Sequence, residues 1–111
     1  MMRVKLVKEV TLKLYARENA PLRAGVEGWL EQIRRAHWLD PGDIKKQFAS
    51  ADLLGNGSQR VIFNLGGNNC RMICWYRFGR RTVRLYINWI GTHAEYSELC
   101  KRGLQYSIND Y

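Results

Sequence analysis

The chain of 111 residues holds two histidines, His37 and His93, and they keep different company. His93 follows Gly91-Thr92, and Tyr96 stands three positions later. Threonine caps helices, so His93 is expected to begin one, with Tyr96 a turn further on. Histidine exchanges a proton near neutral pH. A helix start also offers free backbone N–H groups that attract phosphate. A histidine that merely begins a helix fits the same pattern. His37 lies one turn after Ile33 and beside Trp38, which suits a structural place at a helix end.

Other chemistries lack their residues. Glu95 and Glu98, at i and i+3 on the last predicted helix, face solvent and do not make a glycosidase or two-metal pair. Cys70, Cys74 and Cys100 are odd in number and lack the paired short spacings of a zinc site, so free thiols in a reducing cytoplasm are expected. The serine-centred nucleophile motif and the phosphate-cradling Walker loop are both missing. Gly66-Gly67-Asn68 reads as a hairpin turn. No metal and no cofactor is expected. No apolar run is long enough to cross a bilayer, and Arg3, Lys5 and Lys8 interrupt any signal-peptide core.

The elements that would position these residues can be read from periodicity. Val4 and Leu6 alternate with Arg3 and Lys5, which predicts a strand. Lys8 to Asn19 predicts a helix with Val10, Leu14 and Tyr15 inward. Pro21 opens a second helix, whose apolar stripe is Leu22, Val26, Trp29, Leu30 and Ile33. Gly25 and Gly28 weaken that helix and imply close packing there. Asp40-Pro41 caps a short turn through Phe48, and Asp52 to Gln59 reads as loop. Three strands come next, Arg60–Leu65, Asn69–Phe78 and Thr82–Ile90, and then the helix from His93. Residues 103–111 look frayed. The expected architecture is a single α+β domain over 1–111. Its sheet is mostly antiparallel, with two N-terminal helices on one face and a short C-terminal helix.

The formal net charge is +8, which favours a polyanionic partner. Residues 1–59 hold 10 basic and 7 acidic side chains, whereas 60–102 hold 8 and 2. The excess therefore sits in the three strands and the last helix. Strand alternation puts Met72, Cys74, Tyr76 and Phe78 on one face, with Val83, Leu85, Ile87 and Trp89. Joining the two apolar sets demands an even-numbered connection or a bulge around Gly79–Arg81. The opposite face then shows Arg71, Trp75, Arg77, Arg84 and Tyr86. Arginines interleaved with aromatics suit RNA, because guanidinium groups meet phosphates and rings stack on unpaired bases. An ordinary solvated sheet face is the alternative, but two aromatics exposed there bring no structural return.

RNA carries its own nucleophile, the 2′-OH. Cutting it takes a group for the 2′ proton, a group for the leaving 5′ oxygen, and cations for the charge at phosphorus. His93, Tyr96 and Arg71 can supply these, with Arg77, Arg84 and Lys101 on backbone phosphates. Two other classes stay open. One is a non-catalytic RNA- or ribosome-binding module that blocks translation. The other is a protein whose basic face docks an acidic partner.

The segment Val61-Ile62-Phe63-Asn64-Leu65-Gly66-Gly67-Asn68-Asn69-Cys70-Arg71-Met72, with Ile90-Gly91-Thr92-His93-Ala94-Glu95-Tyr96, resembles the HigB-like toxins of bacterial type II toxin–antitoxin systems. Trp38-Leu39-Asp40-Pro41-Gly42-Asp43-Ile44-Lys45 strengthens the likeness, which extends to about Arg102. The resemblance implies a RelE-like fold and an endoribonuclease that cuts mRNA, typically on the translating ribosome. It also implies a cognate HigA-like antitoxin with a helix-turn-helix domain, so that DNA is met only through the antitoxin and no membrane is involved. The positions it carries over are Asn64, Asn68, Arg71, His93 and Tyr96.

Overall fold

Short alternating segments build the sheet. The computed structural model describes residues 1–55, 57–66 and 70–111, so Asn68 lies outside the described residues. The strands are β1 (Met2–Val7), β2 (His37–Trp38), β3 (Asp52–Leu54), β4 (Arg60–Leu65), β5 (Cys70–Phe78) and β6 (Thr82–Thr92). They lie in the order β2-β1-β6-β5-β4-β3. Every neighbouring pair is antiparallel except β1 with β6, which is parallel. The architecture is α+β with a mostly antiparallel sheet, as expected. The short strands β2 and β3 appear where a helix end and a loop were expected. Two or three residues each are too few to show a period.

Helices α1 (Glu9–Glu18) and α2 (Arg23–Arg34) cover one face of the sheet. In α2, Val26, Trp29, Leu30 and Ile33 are buried, as the stripe predicts. In α1 the inward residues are Leu12 and Ala16, with Tyr15 half-buried, while Val10 and Leu14 are 64% and 50% exposed. The helix carries two apolar stripes. Lys8, held in the left-handed region at φ 66°, sets the chain's entry and turns the Leu12 stripe inward. A Cβ on Gly25 would come within 2.6 Å of the Gly66 backbone, so the close approach expected there is real. Among the described residues nothing lies within 4 Å of a Cβ on Gly28, so none of them gives that glycine a packing reason.

Helix α3 (Pro41–Gln47) starts as the Asp40-Pro41 pair predicts. The Asp43 carboxylate accepts from the Leu39 N–H at 2.7 Å and the Asp40 N–H at 3.4 Å. The Leu39 bond, first, and the Asp40 bond hold its carboxyl below the ordinary range. Helix α4 (His93–Lys101) packs on the opposite face of the sheet from α1 and α2.

Two features of β6 decide what that second face carries. Phe78 pairs with Val83, so the connection at Gly79–Thr82 is even-numbered and keeps Tyr76, Phe78, Val83 and Leu85 on the helical side. Further along, Ile73 pairs with Trp89 but Cys74 with Ile87, which leaves Asn88 as a bulge. The extra residue inverts the rest of the strand. Trp89, expected beside Val83 and Leu85, packs instead with Ile62, Ile73 and Leu99 on the second face.

Residues 103–111, expected to fray, are tied down. Arg60 is 9% exposed, and its guanidinium needs acceptors. It donates to the carbonyls of Gln105 at 3.2 Å and Ile108 at 2.7 Å. The Asp110 N–H donates to the Asn88 carbonyl at 2.8 Å, and the Asn88 amide to the Asn109 side chain at 3.2 Å. Leu104 and Ile108 pack on the Ile62–Ile73–Trp89 cluster.

Candidate functional site

Arg71 on β5 lies opposite Gly91 on β6 and opposite Asn64 on β4. Side chains directly opposite share a face, so Asn64 and Arg71 stand together on the side that α4 partly covers. Gly91 is two residues before His93. Strand pairing therefore delivers the start of α4 beside Arg71. That start is well built. Thr92 Oγ1 accepts from the Glu95 N–H at 3.1 Å, and Glu95 Oε1 accepts from the Thr92 N–H at 2.8 Å. Glu95 is solvent-facing, as expected, but it also closes this capping box. The helix end thus brings its own carboxylate, and Arg71 beside it makes no ion pair among the described residues. His93 is exposed at the first helical position, as predicted.

Tyr96 is half-buried against the Ile62–Ile73–Trp89–Leu99 cluster, its ring centroid 6.1 Å from that of Trp89. Desolvation by burial pushes its phenol well above the ordinary range. The neighbouring Cys100 thiol acts the same way, and the Arg71 charge opposes both. Tyr96 therefore holds its proton at neutral pH and acts as a hydrogen-bond donor rather than a base. The missing side chain of Gly91 makes room for the partner ring. A Cβ there would run into the Trp89 indole.

Asn64, Arg71, His93 and Tyr96 thus gather at one end of the second face. Asn64 is partly committed, since its amide donates to the Ser50 carbonyl at 3.3 Å. Arg71 donates to the Cys70 carbonyl at 3.4 Å. The other sequence candidates lie further off. Trp75 and Tyr86 are cross-strand partners stacked on each other, with ring centroids 5.0 Å apart, and both are half-buried. They stand roughly 13 Å from Arg71 at 3.3 Å per strand residue. Arg77 and Arg84 form the next pair, roughly 20 Å from Arg71. Lys101 closes α4 about 12 Å from His93. His37 lies in β2 on the far side of the sheet order, its Nδ1 3.1 Å from the Arg35 carbonyl.

The buried thiols Cys70 and Cys74 are not poised as nucleophiles. Burial pushes Cys70 up to about 11, and Cys74, fully enclosed, further still. Tyr15, beside Cys70, is pushed up to about 12 by burial first and then by that thiol. A cavity of about 560 Å³ lies between α1 and α2, across the sheet from Arg71. Among the described residues no helix is long and apolar enough to cross a membrane.

Sequence reasoning passed over Arg60, Arg80, Arg81 and Lys5. Alternation through Arg60-Val61-Ile62-Phe63-Asn64 is the signal that would set Arg60 on the face of Asn64. Lys5 was hidden, because only the parallel pairing of β1 with β6 sets it beside Arg84.

No curated protein sequence matches the chain. A family model does. Residues 23–99, from the first residue of α2 to the last buried residue of α4, match the HigB toxin, described as the RelE-like toxic component of a toxin–antitoxin system.

Proposed function

The chain belongs to the HigB toxin family of RelE-like toxic components of toxin–antitoxin systems, and from that premise we propose that it stops translation by cutting messenger RNA on the ribosome. A cognate antitoxin partner is implied by the family. We take that antitoxin to be the HigA-like helix-turn-helix protein, so that contact with DNA is indirect.

The observation that supports the reading is the meeting of Arg71, Asn64, Tyr96 and the exposed His93 at one end of a sheet face. RNA brings the nucleophile. Its 2′ oxygen attacks the adjacent phosphorus, the bond from phosphorus to the 5′ oxygen breaks, and the products are a 2′,3′-cyclic phosphate and a 5′-hydroxyl. His93 is the one residue of this group whose type exchanges protons near neutrality, so it handles the proton of the 2′ or the 5′ oxygen. Arg71 neutralises the charge that builds on the phosphate oxygens. Tyr96, holding its proton, donates a hydrogen bond to the same phosphate or to the leaving oxygen. Asn64 orients a nucleotide by its amide.

One observation favours a second reading. Among the described residues no side-chain hydrogen bond orients His93, as would suit a toxin that binds the ribosome and blocks it without cleavage. Induction in growing cells separates the two. For the cleaving toxin, Arg71→Ala and His93→Ala each relieve growth arrest, while the protein accumulates folded. Full arrest by His93→Ala removes proton transfer at this residue and supports the blocking reading.

A further inference from the structure

The turn between β5 and β6 holds a second site. A cavity of about 440 Å³ is lined by Arg77, Gly79, Arg80, Arg81, Thr82 and Arg84. Four of those six residues carry guanidinium groups and none is acidic. Beside it, Lys5 pairs across the sheet with Arg84, and Arg84 with Arg77. Like charges directly opposite one another on neighbouring strands destabilise a sheet. Here three stand in a row, with two more at the turn.

Nothing within the described residues offsets them. Every ion pair among those residues lies between residues 9 and 46, on Lys13, Arg34, Arg35 and Lys46. The arginines of the turn meet no carboxylate there. All four are exposed. A concave site with several fork-shaped cations and no counter-charge suits closely spaced phosphates.

Its position limits whose phosphates. Arg71, Trp75 and Arg77 share the second face of β5, as do Tyr86 and Arg84 on β6. Helix α4 and the C-terminal segment cover Ile73 between Arg71 and Trp75, so one strand of RNA held at Arg71 reaches the turn, roughly 20 Å away, by passing around that cover. We propose that the β5–β6 turn is an anchoring site for the phosphodiester backbone of the same single-stranded RNA that is cut beside Arg71. The proposal rests on the reading of the chain as an RNA-cutting toxin. It adds a grip remote from the cut, which makes binding depend on RNA length.

The test uses 2′-O-methylated single-stranded RNA, which lacks the attacking hydroxyl, in lengths of about 4 and about 16 nucleotides. Binding is read by fluorescence anisotropy over a salt series. The expected result is that the longer strand binds at least about tenfold more tightly. Arg80→Ala/Arg81→Ala removes most of that advantage and lowers the salt slope by about 1.4, at about 0.7 per phosphate contact. Affinity for the short strand stays unchanged. Arg80→Lys/Arg81→Lys, which keeps the charge, retains at least part of the advantage, and melting curves confirm that both variants fold. Equal binding of both lengths, or an advantage that survives the alanine pair, overturns the anchor while leaving the RNA-cutting reading standing. If neither length binds, the anchor falls, and cutting on the ribosome is judged by the induction experiment alone. Displacement of the long strand by a hairpin duplex, or by an acidic peptide in place of RNA, assigns the turn to structured RNA or to a protein, and the proposal fails.

Discussion

At the residue scale, the site depends on one absent side chain. Gly91 lies opposite Arg71, and any Cβ there runs into the Trp89 indole on which Tyr96 rests. Gly91→Ala is therefore an overpacking change and should cost roughly 1–3 kcal/mol of stability, read by urea unfolding. A cost below about 0.5 kcal/mol means the indole moves freely. Tyr96 makes a second expectation. Its folded phenol ionises only well above the ordinary value, so the unfolded chain loses that proton first as the pH rises. Stability from this group is complete below about pH 10, the unfolded value, and is lost as the pH climbs toward the folded one. Melting temperatures should fall above about pH 10, and less steeply in Tyr96→Phe. An equal fall in both proteins assigns the loss to the other groups that burial pushes up: Tyr15, Tyr76, Tyr111, Cys70 and Cys74.

At the element scale, the start of α4 is the structural hinge of the site. Thr92→Ala removes the hydroxyl that accepts from Glu95 and should cost about 1 kcal/mol, whereas Thr92→Ser should cost little. The Thr92-His93 start was legible because capping chemistry is local. The stripe of α2 was legible for the same reason, since Val26, Trp29, Leu30 and Ile33 leave one solution. Helix α1 was not, because Leu12–Ala16 and Val10–Leu14 are both valid stripes and the turn at Lys8 selects between them. The Asn88 bulge was equally hidden. It moves Trp89 to the other face, and nothing in Ile87-Asn88-Trp89 announces an extra residue. The C-terminal segment is held by a distant partner, Arg60. Arg60→Met should leave the sheet folded while speeding hydrogen exchange at the Ile108 and Asp110 amides, and unchanged protection there assigns the docking to Leu104 and Ile108 alone.

At the scale of the molecule, charge and pairing divide the labour. Among the described residues the ion pairs sit on the N-terminal half, and the arginines of residues 60–102 meet no carboxylate. Alternation placed Arg71, Arg77 and Arg84 on one face correctly, but the face is not continuous. Helix α4 and the C-terminal segment cover its middle, Trp75 and Tyr86 stack on each other, and two basic ends remain. Only the parallel pairing of β1 with β6, between residues far apart in the chain, completes the second of those ends with Lys5. One measurement bears most directly on the claim that the Arg71 end cuts RNA: primer extension on cellular mRNA after induction of the wild-type chain and of His93→Ala. Discrete new 5′ ends within messages are expected with the wild type and none with His93→Ala. Growth arrest by the wild type with messages intact contradicts the claim.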